Sequence, residues 1–311
     1  MAAHTQPSSA APRASSRWRQ VIAWKGASFT APFFLGFVLF TAVPLVLALK
    51  ESFYTEKSSG LGFSAAKVTF SGLDNFTQAF NDGRFWASMA RVAVFAVCAI
   101  PLIMLASLAL ALLVDAVGER LANRFRVPLL IPHMIPGIVA ASIWIFVYSP
   151  SVGPLTPFFT LFGVHADFYS GGMIWVSIGN LMAWAGVGFN MLIVYSALRA
   201  VPAEVYDAAR VDGASEWRIA WSVKVPLVRR SLVLITVLTI IGTLQIFSDP
   251  MLFKTMTPQT VTRDFTPTMD IYDWAFQQGD FHYAAALSIV LAAVVGTVSA
   301  VFYKLTNKAP V

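Results

Sequence analysis

The sequence has little charge and almost no cysteine. Only 12% of its 311 residues are Asp, Glu, Lys or Arg, whereas 57% are hydrophobic; soluble domains are about a quarter charged. The single cysteine, Cys98, lies in an apolar run and has no partner for an internal disulfide. This composition is typical of a membrane protein. The net charge of +6 is spread between apolar runs, so we expect membrane lipid around the chain and no nucleic-acid partner.

The usual motifs of enzymes and nucleotide-binding proteins are also missing. The sequence has no G-x-x-x-x-G-K-[ST] phosphate loop, no H-E-x-x-H, no G-x-S-x-G and no paired cysteine. Its four histidines share no metal-ligand spacing. We therefore expect no catalytic residue, no metal and no cofactor bound by this chain.

Six stretches lack Asp, Glu, Lys and Arg and are long enough, or nearly so, to cross about 30 Å of hydrocarbon as helices. They cover residues 31–49, 92–114, 127–148, 173–198, 231–248 and 284–303. Gradient-driven carriers usually need ionisable groups inside the membrane. The only titratable candidate is His133, which we interpret as structural. The energy source of any active transport is therefore expected in another polypeptide.

The positions of Lys and Arg predict the orientation. If both termini are cytoplasmic, 15 of the 22 basic residues fall on the cytoplasmic side. This agrees with the excess of Lys and Arg that cytoplasmic loops usually carry. Residues 1–28 are then a cytoplasmic, disordered tail, 29–311 form the transmembrane domain, and the first span is a retained anchor. The fold class is an all-α, polytopic membrane protein with six spans, N-in and C-in.

Two loops are predicted outside. In the loop from 50 to 91, the spacing of the aromatic residues suits a short amphipathic helix at the interface, and an ordinary loop is the alternative. These residues are Phe70, Phe76, Phe80, Phe85 and Trp86. The loop from 251 to 283 is a candidate gate or docking surface.

The most polar stretch of the second half, residues 204–226, lies in the predicted cytoplasmic loop 199–230. Pro202 suits the first turn of a helix and Gly213 suits a left-handed end. A second short helix should follow until Pro226. Two such helices form either a lever for another protein or an amphipathic surface resting on the membrane. The residues for the second alternative are Val205, Val211, Trp217, Ile219 and Trp221.

The spacing within this stretch resembles the signature loop of permease subunits in binding-protein-dependent ABC importers. The family pattern is E-A-A, three residues, G, nine residues, I-x-L-P; this chain has Asp207-Ala208-Ala209, Gly213 and Val223-x-Val225-Pro226 at the same spacing. Asp replaces the usual Glu. The wider phrase "VPAEVYDAARVDGASEWRIAWSVKVPLVRRSL" resembles the sugar-type, maltose-permease-like branch, as does "PHMIPGIVAASIWIFVYSPSVGPL".

The resemblance implies a type I importer permease fold, in a bacterial or archaeal cell membrane, that imports a sugar by alternating access. The partners it implies are a second permease, two ATPase subunits that bind ATP and Mg²⁺, and an extracellular or periplasmic binding protein. It implies a coupling helix that docks on the ATPase. The coupling residues are Glu204, Asp207, Ala208, Ala209, Gly213 and Pro226.

A solute path is expected between the two permeases. An uncharged sugar needs hydrogen bonds and flat apolar faces. The candidates in the fourth and fifth spans are Asn180, Trp184, Asn190, Thr243, Gln245 and Phe247, each of which is open to a packing role as well. Asp249 is a gate candidate or a solvated end. The alternative functions are import of an amino sugar, glycerol phosphate or another small solute, and a stand-alone gradient-driven carrier.

Overall fold

The structure, a computed structural model, describes residues 28–57 and 67–307. The tail predicted for residues 1–28 lies outside them except at its last residue. The chain divides into two compact units, Met1–Glu51 and Ser52–Val311. In the first unit the described part is a single helix, α1, Ser28–Glu51. Its side chains are almost all exposed, as an apolar helix in contact with lipid requires.

The second unit is mainly helical. A two-stranded antiparallel sheet, β1 (Tyr54–Lys57) and β2 (Lys67–Phe70), pairs Tyr54 with Phe70. The helices that follow are α2 Asp74–Asn81, α3 Gly83–Ala116, α4 Glu119–Met134, α5 Gly137–Tyr148, α6 Leu155–Thr160, α7 Met173–Arg199, α8 Ala203–Val211, α9 Glu216–Ile219, α10 Arg229–Leu244, α11 Ser248–Met256, α12 Pro267–Tyr272 and α13 Phe281–Asn307. Helix α9 continues through a π-helical turn, Ala220–Lys224, to Leu227.

Five helical segments of the described chain are long and apolar enough to cross a membrane. They are Ser28–Glu51, Gly83–Ala116, Met173–Arg199, Arg229–Met256 and Phe281–Thr306. A sixth span exists only if α4 and α5, bent by 94° at their junction, are one broken span. The predicted all-α membrane fold is thus confirmed, with five to six candidate spans against the six predicted, and the third span predicted at 127–148 corresponds to the bent pair.

The bend between α4 and α5 has a local cause. Ile135 and Pro136 are both extended, with ψ of 128° and 133°. A residue before proline is pushed out of the helical region by the proline ring, and Pro136 cannot donate a backbone hydrogen bond to continue α4. The chain therefore leaves one helix and starts another within three residues.

The fifth predicted span, 231–248, is also interrupted. Helix α10 ends at Leu244, and α11 begins at Ser248 after a short break in which Phe247 has φ −134° and ψ −58°. Together the two helices extend to Met256, eight residues beyond the predicted end, because the apolar pattern continues past Asp249 and Pro250.

The core of the second unit consists of two clusters that follow one another along the helices. The larger cluster includes Phe85 of α3, Ile178 of α7 and Tyr283 of α13. The smaller one, around Leu198 and Val228, lies where α3 and α7 end and α10 begins. The loop 199–230 is therefore attached to a packed end of the bundle.

The amphipathic helix predicted within residues 50–91 is α2. The Asn75 amide donates to the carbonyls of Ser52 and Tyr54, at 2.9 and 2.7 Å, which fixes α2 against the sheet. Phe80 is exposed and its ring stacks on Trp86 at 6.4 Å. The second long loop contains α11, α12 and a π-helical turn, Asp273–Gln277.

Candidate coupling surface and solute path

Helix α8 is short and has no buried residue. Pro202 is the residue before its first turn, with ψ 139°, rather than within that turn as predicted. Glu204 lies in the first turn, where a carboxylate interacts favourably with the helix dipole. Glu204, Asp207 and Ala208 are exposed, and Ala209 is half-buried. The helix thus has an exposed face of small and acidic residues.

Gly213 ends α8 in a left-handed conformation with φ 80°. Its N–H donates to the Arg210 carbonyl at 3.0 Å, and the Ala214 N–H donates to the Ala209 carbonyl at 3.0 Å. This pair of bonds is the Schellman motif, which satisfies the last carbonyls of a helix. No atom lies within 4 Å of the place where a side chain would begin. The backbone conformation, and not crowding, is what requires glycine here.

One ion pair joins α8 to α9 across this turn, and a second lies within α8. The Arg210 guanidinium contacts Asp207 at 2.9 Å and Glu216 at 2.8 Å. The hydrogen bond from Arg210 lowers the pKa of the Glu216 carboxyl, and the same pairing raises the pKa of Arg210. Asp207 is therefore partnered within the loop, which sequence reasoning missed because it assigned this carboxylate to the ATPase partner.

Pro226 does not end the second helix, contrary to the prediction. The helical path continues through it to Leu227 and breaks at Val228, where φ is −91° and ψ is 5°. The π-helical turn Ala220–Lys224 comes just before the proline. A proline inside a helix lacks an N–H and crowds the carbonyl four residues earlier; a wider turn removes both conflicts. Helix α1 has the same arrangement, a π-helical turn at Val38–Ala42 ahead of Pro44.

Four of the five residues of the membrane-resting alternative are exposed: Val205 and Val211 on α8, Trp217 on α9 and Trp221 in the π-helical turn. Ile219 is buried inside the protein. Trp217 and Trp221 are exposed and pack edge to face at 5.6 Å. Tryptophans of this kind are enriched at membrane interfaces, so only part of the proposed face is available to lipid.

In the predicted solute path, α7 meets α5. The Asn180 amide donates to the Tyr148 hydroxyl at 2.7 Å, and the Trp184 ring packs edge to face on Trp144 at 5.8 Å. The Trp144 indole N–H is buried without an acceptor among the described residues. Sequence reasoning missed Trp144 and Tyr148, although two aromatic residues four positions apart share one helix face.

The other predicted path residues are more dispersed. Asn190 and Thr243 are buried, with exposed fractions of 8% and 1%. Gln245 is exposed at the end of α10, and Phe247 packs on Tyr272 at 5.3 Å. Two of the six candidates, Asn180 and Trp184, therefore contact the same stretch of α5.

The structure shows the surroundings of three further residues that the sequence analysis named, His133, Asp249 and Cys98. Ring atom Nδ1 of His133 lies 3.1 Å from the Ala185 carbonyl oxygen, and the ring stacks on Phe189 at 4.3 Å. Asp249 is half-buried in the first turn of α11. Cys98 is exposed. Within the described ranges, no three potential metal ligands come together.

A second group of charges joins the start of α3 to residues 257–280, a segment we call the 257–280 lobe. Arg84 lies 3.1 Å from Asp270, whose side chain is fully buried, and Arg91 lies 3.2 Å from Asp264. Neither Asp270 oxygen accepts a well-aligned hydrogen bond from the described residues. Burial raises the pKa of Asp270 to about 6, with Arg84 opposing it. The lobe is thus attached to α3 by charged groups.

Comparison with known proteins places this architecture among membrane components of transport systems. Residues 76–309 match the family described as binding-protein-dependent transport system inner membrane component. The chain belongs to this family. It is the multi-pass, inner-membrane permease of an ABC transporter, and the ATPase is a separate component.

Individual relatives have different solutes in their names. The chain is 29% identical over 278 residues to the diacetylchitobiose uptake system permease protein NgcF of Streptomyces coelicolor, covering 83% of this chain and 75% of the relative. It is 26% identical over 286 residues to the sn-glycerol-3-phosphate transport system permease protein UgpA of Agrobacterium fabrum, covering 89% and 93%.

A solved structure shares the fold. The chain superposes with a TM-score of 0.79 and 18% identity on a chain of a bacterial ABC transporter involved in the import of the acidic polysaccharide alginate, covering 96% of this chain and all of that one. At this identity the likeness establishes the fold alone.

Proposed function

We propose that this permease imports an uncharged sugar, of the disaccharide or oligosaccharide class. The observation that carries the proposal is the contact between α5 and α7, which consists of neutral groups: the aromatic rings of Trp144 and Trp184, the Asn180 amide and the Tyr148 hydroxyl. Arg91 lines the cavity next to Asn180, and its charge is paired with Asp264. Sugars bind to flat aromatic faces and to neutral hydrogen-bonding groups. A solute hydroxyl would also satisfy the buried Trp144 N–H.

The coupling role of loop 199–230 is part of this proposal. Helix α8 has no buried residue, ends in the Schellman turn at Gly213, and is joined to α9 by the Arg210–Glu216 ion pair. A short rigid helix with small exposed residues can enter a cleft of an ATPase on the cytoplasmic side. ATP and Mg²⁺ would be bound by that ATPase and no cofactor by this chain. Two ATPases, a second permease and an exported binding protein complete the proposed transporter.

Glycerol phosphate is the second candidate, since one relative is named for it. A phosphate needs positively charged groups. The transmembrane stretches 92–114 and 173–198 contain no Lys or Arg, and this favours a neutral sugar over a phosphate.

The test is uptake by proteoliposomes that contain the whole transporter, purified through a tag on this chain, with binding protein outside and ATP inside. Labelled diacetylchitobiose and maltose are compared with labelled glycerol 3-phosphate. We expect ATP-dependent uptake of a neutral sugar. Uptake of the phosphate alone would overturn the sugar proposal, and sugar uptake without ATP would overturn the coupling proposal.

The path residues are tested with Trp184→Ala in the same vesicles. Loss of one aromatic contact, about 0.5–1.5 kcal/mol, should raise KM up to about tenfold and leave ATPase assembly intact. Phe146→Ala is the control, because Phe146 is an exposed residue of α5. An unchanged KM in Trp184→Ala would remove this residue from the path.

A further inference from the structure

A buried ion pair connects the proposed coupling loop to α3. The Lys224 ammonium lies 2.6 Å from the Asp115 carboxylate, and the two side chains are only 9% and 7% exposed. Asp115 is in the last turn of α3, and Lys224 is the last residue of the π-helical turn after α9. The pair therefore joins two segments that are 109 residues apart in sequence.

Helix α8 reaches the same pair through Tyr206. The Tyr206 ring lies 5.2 Å from the Lys224 nitrogen, a cation–π distance, and its hydroxyl donates to the Leu198 carbonyl at 3.1 Å. Leu198 belongs to the last turn of α7. Four helices, α3, α7, α8 and α9, thus meet around one ammonium group.

The chemistry of this contact favours an orienting role over simple stabilisation. A carboxylate in the last turn of a helix is unfavourable to the helix dipole, so Asp115 is poorly placed in α3 without Lys224. Apolar residues of similar volume often stabilise a buried site as well as an ion pair does, whereas removing one charge of a buried pair leaves the other uncompensated. The contact fixes how the loop is oriented relative to α3.

The surroundings of the pair also lead to the coupling face. A cleft of about 540 Å³ lies beside it, lined by Asp115, Tyr206 and Lys224 together with Glu204, Asp207 and Arg210. The proposed docking residues and the buried pair therefore belong to one continuous structure. A displacement of α8 would act on the pair through Tyr206.

The geometry points to Asp115, Lys224 and Tyr206 as positioning residues that transmit movement of the coupling helix to α3. This inference rests on the proposed coupling role of loop 199–230. The three residues touch neither ATP nor solute. When this contact is broken, we expect α8 still to dock and the ATPases still to hydrolyse ATP, but α3 no longer to move with α8.

The experiment measures ATP hydrolysed per solute imported in the same proteoliposomes. Asp115→Asn removes the charge and keeps the shape. We expect the ratio to rise about 5- to 150-fold, the range of coupling between linked sites, while ATPase activity stays within about twofold. Lys224→Arg retains the charge and should stay near the parent. The swap of Asp115→Lys with Lys224→Asp should recover most of the lost coupling, since the attraction is restored.

Glu119→Gln is the matched control, because it neutralises an exposed carboxylate four positions from Asp115. A parent transporter without ATP-dependent uptake would refute the proposed function. A coupled parent with an unchanged ratio in Asp115→Asn would refute the transmission role and leave the function standing. If Asp115→Asn reduces assembly of the transporter, Tyr206→Leu is the second test, because it leaves the ion pair in place. An unchanged ratio of ATP hydrolysed to solute imported in Tyr206→Leu would then also overturn the proposal.

Discussion

At the scale of single residues, the turn that ends α8 in the proposed coupling loop requires a left-handed backbone at Gly213. Gly213 has φ 80° and open space around it. Any other residue at position 213 would therefore pay the free-energy cost of a left-handed backbone, but its side chain would not clash with neighbouring atoms. Asn is tolerated in this region better than β-branched residues are.

Gly213→Val should weaken the turn by about 1–2 kcal/mol and reduce ATP-dependent uptake strongly, while the chain still inserts in the membrane. Gly213→Asn, the matched variant, should retain most uptake. Uptake and co-purification of the ATPase are measured for both. Equal uptake in Val, Asn and parent chains would show that the left-handed turn is not needed for coupling.

At the scale of elements, α4 and α7 approach backbone to backbone. A methyl group on Gly188 of α7 would overlap the Leu129 carbonyl oxygen of α4. Near this point the His133 ring stacks on Phe189. His133 thus lies at a helix interface, in line with its structural interpretation, and the small residue Gly188 allows the close contact.

Gly188→Ala should separate these helices and lower the melting temperature of the detergent-solubilised protein, with a cost of about 1–3 kcal/mol or more for overpacking against backbone. Gly186→Ala is the control, since nothing lies within 4 Å of its added carbon. Melting is followed by the fraction that remains monodisperse after heating. A Gly188→Ala protein as stable as Gly186→Ala would contradict the close approach.

At the scale of the second unit, α3 is a 34-residue rod, about 50 Å long, held by charges at both ends. Asp115 pairs with Lys224 at one end. Arg84 and Arg91 pair with Asp270 and Asp264 of the 257–280 lobe at the other. The proposed coupling loop and this lobe are therefore connected through one helix.

The lobe contact should depend on pH. Burial raises the pKa of Asp270 to about 6; Arg84 opposes the shift, and Asp82, Asp264 and Asp273 add to it. The folded state therefore binds the Asp270 proton more tightly than the unfolded state does. The stability that protonated Asp270 adds is complete below the unfolded pKa and is lost as the pH rises through about 6. Its size is at most about 3 kcal/mol.

Asp270→Asn should therefore remove a fall in melting temperature between pH 5 and 7.5 that the parent shows. Asp264→Asn is the comparison: burial raises the pKa of Asp264, but Thr262 and Arg91 outweigh burial and lower it. That substitution should lower the melting temperature at pH 7.5. Identical pH profiles for parent and Asp270→Asn would contradict the assignment.

The sequence by itself determined the membrane class, the long apolar helices and the family, because hydrocarbon tolerates only long uncharged helices and because Asp207-Ala208-Ala209 and Gly213 keep a fixed spacing. It also predicted the left-handed end of α8 from one glycine. The structure corrected the predictions where local geometry decides: 127–148 bends at Pro136, the helix continues past Pro226, and Asp207 pairs with Arg210 three residues along α8. Those outcomes depend on small differences in local strain. Asp115 and Lys224 are 109 residues apart, and no local pattern connects them; only folding, which removes both from water, makes them partners.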